Sequence, residues 1–115
     1  MALVLQACGA KGGIDIAAGK RTFETRCASC HAVGPYARAG FAPQLNGIVG
    51  RTAGSTTDFR YSTAMKNARI VWSEQNLAAF VRDPAAVVPG TSMRFWGLSD
   101  EAQIANLVAY LRTRK

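Results

Sequence analysis

Three observations predict an all-α domain built around one core. Near the C-terminus, Ile104, Leu107, Val108 and Leu111 fall at i, i+3, i+4 and i+7, the spacing of a helix with one apolar face. No stretch alternates apolar and polar residues for long enough to read as a strand. With 115 residues, 49% of them hydrophobic and 18% charged, the chain has the length and apolar content for one packed domain.

Residues 1–13 end in GAKGG and read as a flexible leader or a lipoprotein-like tether, with the folded domain running over 14–115. The opening MALVLQAC is apolar, lacks a basic start and is short for a complete signal peptide. Cys8 follows LVLQA, which looks like the end of a bacterial lipoprotein signal, although Gln6 is unusual in that box. Two readings of Cys8 stand: a lipidated tether, or a free cysteine in a leader. No apolar run approaches the roughly 18 residues needed to cross a bilayer.

From Ile14 the pattern turns helical. Asp15 can cap, and Ile16, Gly19 or Lys20, Phe23 and Cys27 recur at helical spacing, so a helix is expected to about Cys30. The segment Ala32 to Ser62 holds Gly34, Gly40, Gly47, Gly50 and Gly54. So long a loop in a compact domain needs something to wrap around. A short helix is expected near Ser62–Ala68 and another from Ser73 to about Arg82, stopped by Pro84. Pro89 and Gly90 open an irregular loop through Met93. The last helix starts near Ser99, with arginines and a lysine gathered at its end.

The run CASCH, Cys27 to His31, holds the one histidine of the chain. A tetrahedral zinc site would need a fourth ligand, usually from a second C-x-x-C or histidine pair that this chain lacks. A thioredoxin-type dithiol needs no histidine and sits near a βαβ pattern, which is missing here. What remains is covalent haem attachment through Cys27 and Cys30, with His31 as an axial ligand. A five-residue match also arises by chance, so the motif needs support from the rest of the chain.

With His31 alone, bis-histidine ligation within the chain is impossible. That leaves methionine, lysine or an open site opposite it. Met65 falls on an expected short helix, where packing is the plainer role. Met93 lies in the turn-rich VPGTSMRFWG, where a thioether can approach iron without dragging a helix along. A thioether opposite imidazole favours ferrous iron and raises the reduction potential. Filling both axial positions leaves no vacancy for a substrate, which points to electron transfer.

Beyond CASCH, the pieces APQLNGIVGR, FRYSTAMKNARIVW, DPAAVVPGTSM and LVAYL stand in an order and spacing that resemble class I c-type cytochromes of the mitochondrial type, from Ile14 to Leu111. The resemblance implies the small cytochrome c fold: three main helices, short helices and long loops wrapped around one covalently bound haem c. It places Gly19 and Phe23 on the first helix against Leu107 and Tyr110 on the last. It also implies that the Pro43 carbonyl accepts the outer N–H of His31, that Arg51, Tyr61 and Trp72 hold a propionate, and that Phe95 lies near the exposed haem edge. Core packing is the plainer role of Tyr61 and Trp72, but both carry polar hydrogens that need a partner when buried.

The departures from that pattern are informative. Phe80 stands where relatives usually have a tyrosine bonded to the methionine sulfur, and Met65 where they have an asparagine. Losing both polar groups predicts a drier pocket. Ser92 replaces the lysine before the ligand methionine, and Ala85 and Ala86 replace two more. No lysine-ligated alkaline form is therefore expected. Of the cationic ring that docks partners in the family, Arg26 is kept, with Arg38 and Arg94 nearby, while Ser99 and Asp100 replace cations. Electron-transfer rates should accordingly depend weakly on salt.

The formal net charge is +7, but the ten arginines and four lysines are scattered, without a basic run interleaved with aromatics. Nucleic acid is therefore a poor partner, and an acidic protein fits better. The sequence predicts a one-electron carrier, not an enzyme, whose electrons leave near Cys27, Met93 and Phe95. A peroxidase-like reading would need an open iron and an acid–base group, and the one histidine is spent. Expected partners are a cytochrome reductase, a terminal oxidase or a dehydrogenase, with the chain acting as a monomer or as the haem subunit of a complex. The expected location is the periplasm or outer face of a bacterial membrane, lipid-anchored if Cys8 is modified.

Overall fold

The computed structural model describes residues 13–93, 95 and 97–115. Cys8, Gln6 and Arg94, weighed above, lie outside them. Among the described residues five helices follow one another: α1 Ile16–Arg26, α2 Thr63–Lys66, α3 Glu74–Arg82, α4 Pro84–Val87 and α5 Glu101–Arg112. Among the described residues the extended structure is limited to one antiparallel bridge, between Thr52 and Val71.

The N-terminal and C-terminal helices form the frame. Asp15 caps α1 by accepting from Ala18 N at 3.0 Å. Its own backbone N–H donates to Asn106 Oδ1 at 2.9 Å, tying the start of α1 to α5. Gly19 lies at the crossing, where an added Cβ would collide with the Asn106 carbonyl. Phe23 and Tyr110 then fill the gap, ring centroids 5.8 Å apart. Both are buried, as are Ile104, Leu107, Val108 and Leu111, so the apolar stripe read from the sequence is the core face of α5. Such close approach of two backbones is what glycine permits at a helix crossing.

The first helix is shorter than its spacing suggested. It ends at Arg26, with Cys27 as C-cap at φ −124°, and Ala28 N returns to Phe23 O at 2.8 Å. Cys27 to Cys30 form a turn, closed by Cys30 N and His31 N on Cys27 O at 3.1 and 2.9 Å. The apolar spacing carried through Cys27, but the carbonyls of the last turn are satisfied by this tighter closure.

α3 begins in a capping box, Ser73 accepting from Asn76 N while the Asn76 side chain accepts from Ser73 N. Pro84 does stop α3, yet it also starts α4 as its first residue. A proline at that position loses no hydrogen bond and has its φ already set. The chain then passes Pro89 and Gly90 into the loop holding Met93 and returns at Gly97. There φ is +93°, and a Cβ would meet the Arg82 carbonyl. Leu98 N bonds Val81 O at 2.9 Å and fastens the loop's far end to α3.

Candidate haem site

A cavity of about 390 Å³ opens between the end of α1, the glycine-rich loop, α2, α3, the Met93 loop and α5. Every residue singled out above as a contact for the haem lines it. Cys27, Cys30 and His31 come from the turn after α1, with Pro43 and Arg51 from the loop. Tyr61 and Trp72 flank α2, Phe80 comes from α3, and Met93 and Phe95 from the last loop. The remaining wall is largely apolar, with Leu45, Ile48, Leu77, Val81, Leu107 and Leu111 among it.

His31 is oriented before any iron is considered. Its Nδ1 donates to the Pro43 carbonyl at 2.7 Å, which leaves Nε2 unprotonated with a free lone pair. Burial holds the His31 pKa below its ordinary value, partly offset by the Pro43 bond, with Arg51 lowering it further. The ring is therefore neutral at physiological pH, the form that ligates metals. Burial also pushes the Cys27 thiol up to about 11, against the opposing pull of Arg26. Cys27 is a protonated thiol at neutral pH, unlike the low-pKa cysteines of redox enzymes. Cys30 is exposed at the mouth.

At the other end of the loop, Arg51 is steered by main-chain carbonyls. Nη1 donates to Asn46 O at 3.1 Å and Nη2 to Gln44 O at 2.9 Å. Desolvation lowers its pKa, with the neighbouring Tyr61 and Asp58 opposing. The backbone bridge brings Trp72 beside it, Trp72 N bonding Arg51 O at 3.0 Å. Trp72 is buried and its side chain lines the same cavity as Arg51. The Tyr61 hydroxyl bonds Thr56 Oγ1.

Phe80 packs edge-on against Trp72 at 5.0 Å. Met65 lines the cavity as well, held on the single turn of α2. Met93 sits on non-helical backbone, its N–H donating to Thr91 Oγ1 at 3.2 Å. Phe95 lies under the Arg26 guanidinium, 5.4 Å from the ring centroid. The donor set fits haem c: two thiols, an imidazole with one nitrogen committed, a soft thioether, and a cation with an indole beside it.

Sequence reasoning passed over Gln44, Asn46, Thr56, Phe41 and Phe59. Thr56 partners Tyr61, and Phe59 packs edge-on against it at 5.0 Å. Phe41 lies at the cavity mouth, 89% exposed. Asn46 stood inside the quoted APQLNGIVGR, but its partners are 12 residues away. Asp100, read as a lost docking cation, is the N-cap of α5, accepting from Ala102 N and Gln103 N.

The cytochrome c family model matches residues 16–115. The chain is 42% identical over 98 residues to a cytochrome c2 of Blastochloris viridis, covering 85% of this chain and 76% of that one. It is 45% identical over 100 residues to a cytochrome c2 of Agrobacterium tumefaciens, covering 84% and 89%. To a cytochrome c2 of Rhodomicrobium vannielii it is 42% identical over 113 residues, covering 98% and 89%. The five helices, the cavity and these matches agree: the chain belongs to the cytochrome c family of electron-transfer proteins, not enzymes, whose cofactor is covalently bound haem c.

Proposed function

We propose that this protein carries single electrons between redox proteins on one haem c, which would be attached through Cys27 and Cys30 and held at its iron by His31 and Met93. The observation that supports this best is the convergence of both thiols, the oriented imidazole and the Met93 loop on one apolar cavity. When bound, the iron supplies the one-electron couple. His31 offers Nε2, and the Pro43 carbonyl strengthens that donor by holding the proton on Nδ1. Met93 supplies a soft ligand that favours the ferrous state. Arg51, Tyr61 and Trp72 are the groups assigned to the propionates. Phe80, Leu77 and Leu107 exclude water, so little solvent reorganises as charge changes.

Met93 is preferred to Met65 because its backbone is free of helix, whereas the α2 turn fixes Met65 through Ser62 Oγ at 3.1 Å. The partners proposed are a cytochrome reductase, a terminal oxidase or a dehydrogenase, met at the cavity mouth near Arg26 and Phe95. The proposed location is the periplasm, where Cys8, if lipidated, would tether the carrier to a membrane. No helix among the described residues is long and apolar enough to cross one.

The test is the ferric protein's weak far-red sulfur-to-iron charge-transfer band, followed by cyanide. The wild type should show the band and bind cyanide slowly. Met93→Ala should lose the band and bind cyanide about a hundredfold faster, if loop opening costs about 2–3 kcal/mol. Met65→Leu should keep the band. A band that survives Met93→Ala and disappears in Met65→Leu would overturn the assignment.

A further inference from the structure

We propose that the Asn46 side chain is a positioning residue for the axial imidazole, clamping Gly34 so that the Pro43 carbonyl stays on His31 Nδ1. This rests on reading His31 as an axial ligand. Two segments run side by side here, 30–34 and 42–46. Ala42 N bonds Cys30 O at 3.2 Å, His31 Nδ1 bonds Pro43 O at 2.7 Å, and Leu45 N bonds Ala32 O at 2.9 Å. The last rung is the double one. Gly34 N donates to Asn46 Oδ1 at 2.9 Å, and Asn46 Nδ2 donates to Gly34 O at 2.7 Å.

Asn46 thus acts as a side-chain substitute for a two-bond backbone pair, at the point where the segments part. Its main chain is engaged as well: N–H on Gln44 Oε1 at 2.7 Å, and O accepting from Arg51. No other common side chain of this size both donates and accepts in one plane. Aspartate keeps the acceptor and loses the donor. Alanine loses both, leaving the Leu45–Ala32 bond to hold the end of the strap. The Pro43 carbonyl then has freedom to leave Nδ1, and the imidazole becomes a weaker electron donor to iron. A weaker donor stabilises ferric iron less, so the reduction potential rises. Arg51 works in the opposite sense, because a cation that drifts from the site lowers the potential. The two contributions separate in an Arg51→Ala background.

The experiment uses the haem-loaded protein. Solvent exchange of the His31 Nδ1 proton is followed by NMR in the ferrous state. Midpoint potentials are measured for Asn46→Ala with Arg51 present and with Arg51→Ala. Asn46→Ala should speed the exchange about tenfold, the loss expected for one or two hydrogen bonds, and should raise the potential in the Arg51→Ala background. Asn46→Asp, the milder change, should give an intermediate exchange rate. Ile104→Val, a core truncation away from the cavity, should lower thermal stability and move neither readout. Unchanged exchange in both Asn46 variants, or an equal response to Ile104→Val, would overturn the proposal. Absence of paramagnetically shifted His31 ring protons in the ferric wild type would overturn the ligand reading itself, and this inference with it.

Discussion

The two proposed axial ligands sit on unequal supports. The His31 side is a strap of four successive rungs, ending in the paired bonds of Asn46. Around Met93 the described hydrogen bonds are few: Met93 N to Thr91 Oγ1 at 3.2 Å and Thr91 N to Val88 O at 3.0 Å. Among the described residues the loop is further held by Phe95 beneath Arg26 and, at its far end, by Leu98 N on Val81 O at 2.9 Å. Local opening follows the density of such constraints. The difference teaches where this protein should yield first: the thioether side opens while the imidazole side stays closed.

Gly97→Ala should break that comparison most sharply. It places a Cβ against the Arg82 carbonyl on a backbone of φ +93°, at a cost of roughly 1–3 kcal/mol. The Leu98–Val81 bond that moors the loop must shift to make room. Thermal unfolding should fall, cyanide binding should accelerate, and exchange of the His31 Nδ1 proton should hold at its wild-type rate. Equal loosening of both sides would mean that the loop and the strap open as one unit.

Arg26→Gln is the gentler probe. It removes the guanidinium over Phe95, a contact worth about 0.5–1 kcal/mol, and leaves both ends of the loop in place. Cyanide binding should quicken only a few-fold, with the far-red band retained. Partners are proposed to dock near Arg26, so electron transfer to an acidic partner should slow in the same variant. If cyanide binding is unaffected, the Arg26–Phe95 stack contributes nothing to holding the loop closed.

Much of this asymmetry was legible in the sequence, and the illegible part has a common cause. CASCH and the Pro89–Gly90 loop mark the two proposed ligands through local chemistry, and the α5 stripe marks the core through helical period. Asn46 was missed because a polar residue beside glycine reads as an ordinary turn until Gly34, 12 residues earlier, is brought against it. Pro84 was read as a stop because proline ends helices more often than it is noticed starting them; here it does both. The end of α1 was overrun because apolar spacing reports which face is buried and says little about how the last carbonyls are satisfied. Trp72 was read as either core or propionate contact, and it is both buried and cavity-lining.

The smallest expected effect is an absent one. If the Met93 side opens first, high pH should expose the iron there, and what fills the vacancy depends on which bases are within reach. Of the described lysines, Lys20, Lys66 and Lys115, none lines the cavity, and the loop positions Ser92, Ala85 and Ala86 carry no amine. Lys66 is next to cavity-lining Met65 but is exposed on α2. Raising pH should therefore replace the thioether by hydroxide or leave it bound, and the ferric spectrum should show no lysine-ligated species. Replacing Lys66 by alanine should change nothing in that titration. A lysine-ligated spectrum that vanishes in Lys66→Ala would show that α2 can swing toward the iron. The ease of opening would then belong to the whole distal wall, not to the Met93 loop alone.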